Sequence, residues 1–387
     1  MDDPSMSTTT TTAPTTHVEP HKRPAALSRR VEITLNIFLA ILGPLLIIGT
    51  LEGIAYFWER NQAEGQYAWE LVASRRVNWI PYEKPGAGYT LMKPESHYEW
   101  QGIPVNINMH GLRSPETTFK KPAGTFRILN LGDSVVMGWG VKQEETYGMR
   151  LDTVLNASSG GERRYEVINA GVPGWNLDNE LAYLEAQGSL YEPDLVLLDI
   201  TVVNDIFGKN ALEQHNQSEV IEWLRSNTYS WPFLSIQMQW IKARSEGNDR
   251  ISAIDPPVNA ASYFPTNAQD ERWERVWQAI LGIQRKAQES GAQFAIVLFP
   301  LEYQVLDEDF STVAQTVLTE KAEEAGIPVI DLLPAYREAC REKSGGPCQL
   351  EDRYLFADVW MHPSALGHRI TANVIVEFMQ GMMFNAQ

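Results

Sequence analysis

The sequence predicts an α/β protein, a doubly wound three-layer α/β/α sandwich with a mainly parallel sheet, with an added transmembrane helix near the amino terminus. Three observations predict it. The runs FRILNLGD, YEVINAGV, DLVLLDITVV, FAIVLFP and IPVIDLL are apolar almost throughout, as strands buried on both faces must be. Helix-length segments near 145–157, 177–188, 270–289 and 311–325 fall between them, with a last one near 364–380, so strand and helix alternate. Ahead of all these, Ile33 to Leu51 reads ITLNIFLAILGPLLIIGTL and carries no charge.

Taken from the amino terminus, residues 1–30 hold a threonine-rich tract, STTTTTAPTT, with too little apolar surface to offset the entropy of ordering. They read as a disordered cytoplasmic tail. The anchor is expected over 31–58, with the lipid bilayer contacted through 33–51, since about 19 uncharged residues nearly match a hydrocarbon core about 30 Å thick. Tyr56, Phe57 and Trp58 supply interfacial aromatics. A buried core helix or a cleaved signal peptide has a similar pattern; the lack of a clear small-x-small site after the run favours an uncleaved anchor. Lys22, Arg23, Arg29 and Arg30 precede the run, while Glu52, Glu59 and Arg60 follow it. The positive-inside rule then keeps the amino terminus in the cytoplasm and sends the rest across an inner or plasma membrane, to the periplasm or the cell exterior.

Residues 59–125, rich in Pro, Gly and aromatics, form an amino-terminal extension whose segment IPVNINMHGLR reads as a strand entering a turn at Gly111. The main domain is expected over 126–387. An interval near 206–270, with Trp223, Trp231 and Trp240, interrupts the strand-helix rhythm and reads as an insertion, a lid or a membrane-facing cap.

Composition narrows the function classes. The chain has 387 residues, 44% of them hydrophobic, and a formal net charge of -17, so no basic surplus exists to neutralise nucleic-acid phosphates. Neither CxxC nor HExxH occurs, and no metal or cofactor is expected. Cys340 and Cys348 stand close together in CREKSGGPC. Outside the cytoplasm that spacing suits a local disulfide; two free thiols are the alternative.

Ligands of an open α/β sheet gather beyond the carboxyl ends of its strands, and polar motifs stand at those ends. Gly132-Asp133-Ser134 follows FRILNL, Asn169-Ala170-Gly171 follows YEVI, and Asn204-Asp205 follows DLVLLDITVV. A further motif, Asp358-Val359-Trp360-Met361-His362-Pro363, precedes the last helix. A serine hydroxyl needs a base and oxyanion donors before it can attack a carbonyl. His362 is the candidate base, since histidine is the side chain suited to proton transfer near neutral pH, and Asp358 is the nearest carboxylate to orient it. Taken singly, each motif also has an ordinary reading, as a strand-to-helix turn, an Asx turn or a packed histidine.

Together, in this order, the motifs resemble the SGNH hydrolases, also called the GDSL esterase and lipase superfamily, over roughly residues 125 to 380. The resemblance implies an SGNH/flavodoxin-like sandwich with Ser134 as nucleophile and His362 as base. It also implies an oxyanion hole made by the Ser134 and Gly171 N–H groups and the Asn204 amide. The chain departs from the family pattern twice. Val202 stands where the third block usually has glycine, and Asp358 lies four residues before the histidine instead of three. Asp358 is thus the candidate triad acid, and a Ser-His dyad assisted by a backbone carbonyl is the alternative. Trp139 and Trp175 follow the first two blocks and are candidates for the substrate pocket or for the core, and His368 is expected to pack or cap.

The resemblance implies an ester hydrolase acting on an acyl ester or an O-acylated carbohydrate outside the cytoplasm. Similar membrane-anchored proteins, including those of alginate O-acetylation, also suggest an O-acetyltransferase on a cell-surface polysaccharide. A non-catalytic SGNH-like scaffold with other membrane proteins as partners is the reading from a different class.

Overall fold

The computed structural model describes residues 28–61, 82–83, 88–100, 103–202, 267–348, 353–357 and 361–385, with scattered positions from 220 to 238. Contacts divide the chain into two units, Met1–Leu51 and Glu52–Gln387. Most of the first unit's described length belongs to helix α1 (Arg29–Asn61), which contains Pro44. Its stretch Arg29–Phe57 is long and apolar enough to cross a membrane. Ile37, Phe38, Ile41, Leu46 and Ile47 are all exposed, which removes the buried-core-helix alternative and leaves a membrane span or a signal sequence.

In the second unit the extension forms two small antiparallel pairs, β1 (Tyr82–Glu83) with β2 (Thr90–Leu91) and β3 (His97–Trp100) with β4 (Ile103–Asn106). After β4 the chain turns as expected. Asn108 Oδ1 accepts from the N–H groups of His110 and Leu112, at 2.9 and 3.0 Å.

The main sheet contains β5 (Thr125–Gly132), β6 (Arg164–Gly171), β7 (Leu195–Thr201), β8 (Gln293–Phe299) and β9 (Val329–Asp331), in the order β6-β5-β7-β8-β9 and parallel throughout. Branched and leucine side chains such as Ile128, Leu129, Val196, Leu198 and Ile296 are fully buried. Each contributes about 1.5–3 kcal/mol of transfer free energy.

Short polar caps start the helices that cover the sheet. Thr146 accepts from the Met149 N–H at the start of α3 (Tyr147–Ser158), and Asn176 accepts from Asp178 and Asn179 at the start of α4 (Leu177–Ala186). With right-handed crossovers, this strand order puts α3 on one face and α4, α5 (Arg272–Glu289) and α7 (Val313–Glu324) on the other. The packing agrees: α4 meets α5, while α3 meets the closing helix α9 (Ala365–Asn385). Within this sheet β5 comes first in sequence and its two neighbours, β6 and β7, are reached by chain running in opposite directions, so the switch point of the sheet lies at the end of β5.

Some helices among the described residues were not anticipated. Between β8 and α7 lies the short α6 (Glu302–Leu306), and after β9 comes α8 (Leu333–Ser344). The sequence of α8, LPAYREACREKS, is largely polar, and only Leu333, Tyr336 and Cys340 are buried along it. Three inward positions at i, i+3 and i+7 make a narrow stripe that is easily missed. Cys340 and Cys348 are joined as a disulfide that closes the end of α8, with Cα atoms 5.8 Å apart. Most of the interval 206–270 lies outside the described residues.

Candidate active site

Strand β5 ends at Gly132, and the chain turns at once into α2 (Ser134–Met137). Asp133 makes that turn: its Oδ1 accepts from the Val135 N–H at 2.7 Å, and the Thr201 hydroxyl stands 3.5 Å away. The turn presents Ser134 at the end of the sheet's central strand pair. Its Oγ lies 2.8 Å from His362 Nε2, although the two residues are 228 positions apart. For Nε2 to accept the serine proton, the ring must carry its own hydrogen on Nδ1.

The histidine loop is fastened on both sides. The Ala357 N–H donates to the His362 carbonyl at 2.7 Å, and the Ser364 N–H donates to the Leu355 carbonyl at 2.8 Å. Gly140, at φ +82°, brings the nucleophile loop against the histidine loop, since a Cβ there would stand 2.7 Å from Ala357 Cβ. Trp139 stacks on the His362 ring, with centroids 5.7 Å apart and planes 28° apart. Ser134 is 7% exposed, His362 1% and Trp139 9%, so the pair sits in a nearly closed, low-dielectric setting.

Gly171 is required by space. A Cβ there would fall 2.2 Å from the Met137 N and 2.7 Å from the Val136 carbonyl carbon, so only glycine lets the end of β6 meet α2. Its N–H donates to Asn169 Oδ1 at 3.0 Å, while Asn169 Nδ2 donates to the Val136 carbonyl at 2.7 Å. The expected oxyanion donor is therefore already engaged, and the motif NAG gave no sign of this. Asn169 laces β6 to the nucleophile turn.

The other expected residues separate clearly. Asn204 and Asp358 lie outside the described residues. Trp175 is a core residue: it is fully buried, its Nε1 donates to the Thr90 carbonyl at 2.9 Å, and it packs on Tyr183 and Tyr89. Of the two tryptophans named for a pocket, only Trp139 touches the site. His368 caps, as expected, with Nδ1 accepting from the Tyr147 N–H at 3.3 Å. Burial first, then Arg113, Arg150 and His362, push its pKa down to about 3, so it is neutral at any physiological pH.

Further groups near the site were not singled out from sequence. Arg113, buried, donates to the carbonyls of Gly138 at 2.6 Å and Val141 at 2.8 Å, clamping both sides of Trp139. Burial lowers its pKa to about 10, with Glu144 acting in the opposite direction, so it stays charged. Asp199 on β7 accepts from the Tyr147 hydroxyl. Glu180 on α4 is fully buried, with no hydrogen bond on either oxygen. Burial, then Asp133 and Asp199, raise its pKa well above the ordinary carboxylate range. Apolar-looking strands and helices concealed these polar groups, because periodicity reports burial without reporting partners. Among the described residues no cluster of His, Cys, Asp and Glu could hold a metal ion.

No curated protein matches the chain. Among solved structures, an acetyl xylan esterase, AlAXEase, is similar at 17% identity and a TM-score of 0.40, covering 65% of this chain and 98% of that one. A two-domain esterase (CEX) active on acetylated mannans, co-crystallized with mannopentaose, is 17% identical with a TM-score of 0.41, over 67% of this chain and 50% of that one. The psychrotrophic esterase EstA from Pseudoalteromonas sp. is 16% identical with a TM-score of 0.37, over 66% of this chain and 98% of that one. The model of the GDSL-like lipase/acylhydrolase family matches residues 131–370, a span that begins just before Ser134 and ends just after His362, and the chain belongs to that family.

Proposed function

We propose that this protein is a serine ester hydrolase that removes O-acyl groups, acetyl above all, from an extracytoplasmic carbohydrate, held at the membrane by residues 33–51. The observation that carries the reading is the 2.8 Å contact between Ser134 Oγ and His362 Nε2. The low exposure of Ser134 and the indole stacked on His362 favour a short acyl group. Family membership supports carboxylic ester hydrolysis as the reaction class.

In this mechanism Oγ forms a bond to the acyl carbonyl carbon while its proton passes to Nε2. The oxyanion is held by the Ser134 N–H, which as the first helical residue has no intrahelical acceptor, by the Asn204 amide, and by the Gly171 N–H. That last donor is shared with Asn169 Oδ1. Collapse breaks the ester C–O bond, and the histidine proton goes to the departing alcohol. Water, deprotonated by His362, then attacks the acyl-serine; collapse breaks the bond between Oγ and the acyl carbon, the histidine proton returns to Oγ, and the carboxylate leaves. Asp358 is the acid proposed for the far ring nitrogen.

The test is turnover of an aryl acetate by the purified chain, with and without an oligosaccharide acceptor, across a series of acyl lengths. Hydrolysis that falls steeply beyond acetyl or propionyl supports the reading. Acetyl appearing on the sugar at the expense of free acetate replaces it with a transferase. No turnover by the folded protein leaves the scaffold.

A further inference from the structure

Glu52 follows directly on the uncharged run Ile33–Leu51. Its carboxylate accepts from the backbone N–H of Tyr229 at 2.7 Å and of Ser230 at 3.2 Å, and from the Ser230 hydroxyl. One turn further along the helix, Tyr56 meets the Tyr229 ring edge to face, with centroids 5.1 Å apart. If the run crosses a bilayer, Glu52 stands within one residue of the end of the hydrocarbon, whatever the tilt of the helix. Tyr229 and Ser230 are then within hydrogen-bond reach of that level. A carboxylate with several donors on it is also better suited to a boundary of falling dielectric than a bare one.

The chain on either side of these residues carries large apolar side chains open to water. Trp223 is 61% exposed, Val220 66%, Met238 55% and Leu234 39%. A tryptophan this exposed forgoes much of its transfer free energy, and its amphipathic ring suits the headgroup region. The formal charge of -17 argues against attraction to anionic lipids as the driving force and leaves apolar insertion.

We propose that Val220, Trp223, Leu234 and Met238 form a second membrane contact, set in the boundary between headgroups and acyl chains. Glu52 and Tyr56, just past the uncharged run, hold Tyr229 and Ser230, which lie between these residues in the chain. The proposal rests on the reading of 33–51 as an anchor, and the experiment separates the two.

The full chain is placed in phosphatidylcholine nanodiscs at one copy per disc, with lipids brominated near the glycerol end of the acyl chains, and tryptophan emission is compared between the wild type and Trp223→Phe. The expected result is a bromolipid-quenched component, unchanged by salt, that is lost in Trp223→Phe. Trp223 emission that bromolipid leaves unquenched, and that aqueous iodide quenches freely, overturns the proposal. So does protection from iodide that appears only at two copies per disc, which assigns the surface to a second copy of the chain. Extraction with alkaline carbonate reads the anchor separately. Resistance to carbonate with Trp223 unquenched sinks the interfacial segment alone, and release by carbonate sinks both.

Discussion

The Arg113 guanidinium, supplied by the segment ahead of the main sheet, donates to the Gly138 carbonyl at 2.6 Å. Its other amino group donates to the Val141 carbonyl at 2.8 Å, so the loop bearing Trp139 is held at both ends by one buried cation. Arg113→Ala is expected to lower kcat roughly 100-fold, the scale of a 1 Å misplacement near the chemistry, and to cost about 3 kcal/mol of stability. Arg113→Lys keeps the charge but lacks the fork that reaches both carbonyls, and should fall between. Kinetics with an aryl acetate and thermal melts check both; wild-type kcat in a folded Arg113→Ala protein refutes the clamp.

Trp139 holds the imidazole by stacking on it. Trp139→Ala should reduce kcat by about tenfold with a smaller change in KM, whereas Trp139→Phe, which keeps an aromatic face, should stay near wild type. An effect on KM alone would make Trp139 a substrate contact.

His368 gives a pH signature. Its folded pKa, about 3, lies below the ordinary histidine value near 6.5, so between those limits the unfolded chain binds a proton that the folded chain does not. Its contribution to stability is present above about pH 6.5 and is lost as pH falls, at about 1.4 kcal/mol per pH unit. His368→Gln, which does not titrate, should show a shallower loss between pH 6.5 and 4.5 in urea melts.

Glu180 has the opposite sign. Its carboxyl, buried without a hydrogen bond and raised by burial and then by Asp133 and Asp199, favours the protonated folded state. The stability it contributes is present below the ordinary carboxylate pKa and is lost as pH rises through the raised one. Glu180→Gln should therefore be the more stable protein at alkaline pH and gain little at pH 5. Equal effects at both pH values would contradict a protonated Glu180.

The strands and the ends that carry Ser134 and Gly171 were legible because a sheet covered on both faces imposes continuous apolar runs, and because its ligand rim is fixed by strand direction. His362 was legible only through its motif, since nothing local announces a partner 228 positions away. Arg113 and Glu180 were not legible. A buried arginine in IPVNINMHGLR and a buried glutamate in an ordinary helix have the same sequence pattern as exposed ones, and only packing tells them apart. Trp175 shows the converse: it stands beside a motif, yet its ring belongs to the core.

The most direct measurement is intact-protein and peptide mass spectrometry after treatment with a fluorophosphonate, on the wild type, Ser134→Ala and His362→Gln. A single adduct on the Ser134 peptide of the wild type, absent from Ser134→Ala and formed at least about 100-fold more slowly in His362→Gln, is the expected result. A folded wild type that takes no adduct at Ser134, or takes it as fast without the imidazole, would contradict a Ser134 nucleophile activated by His362.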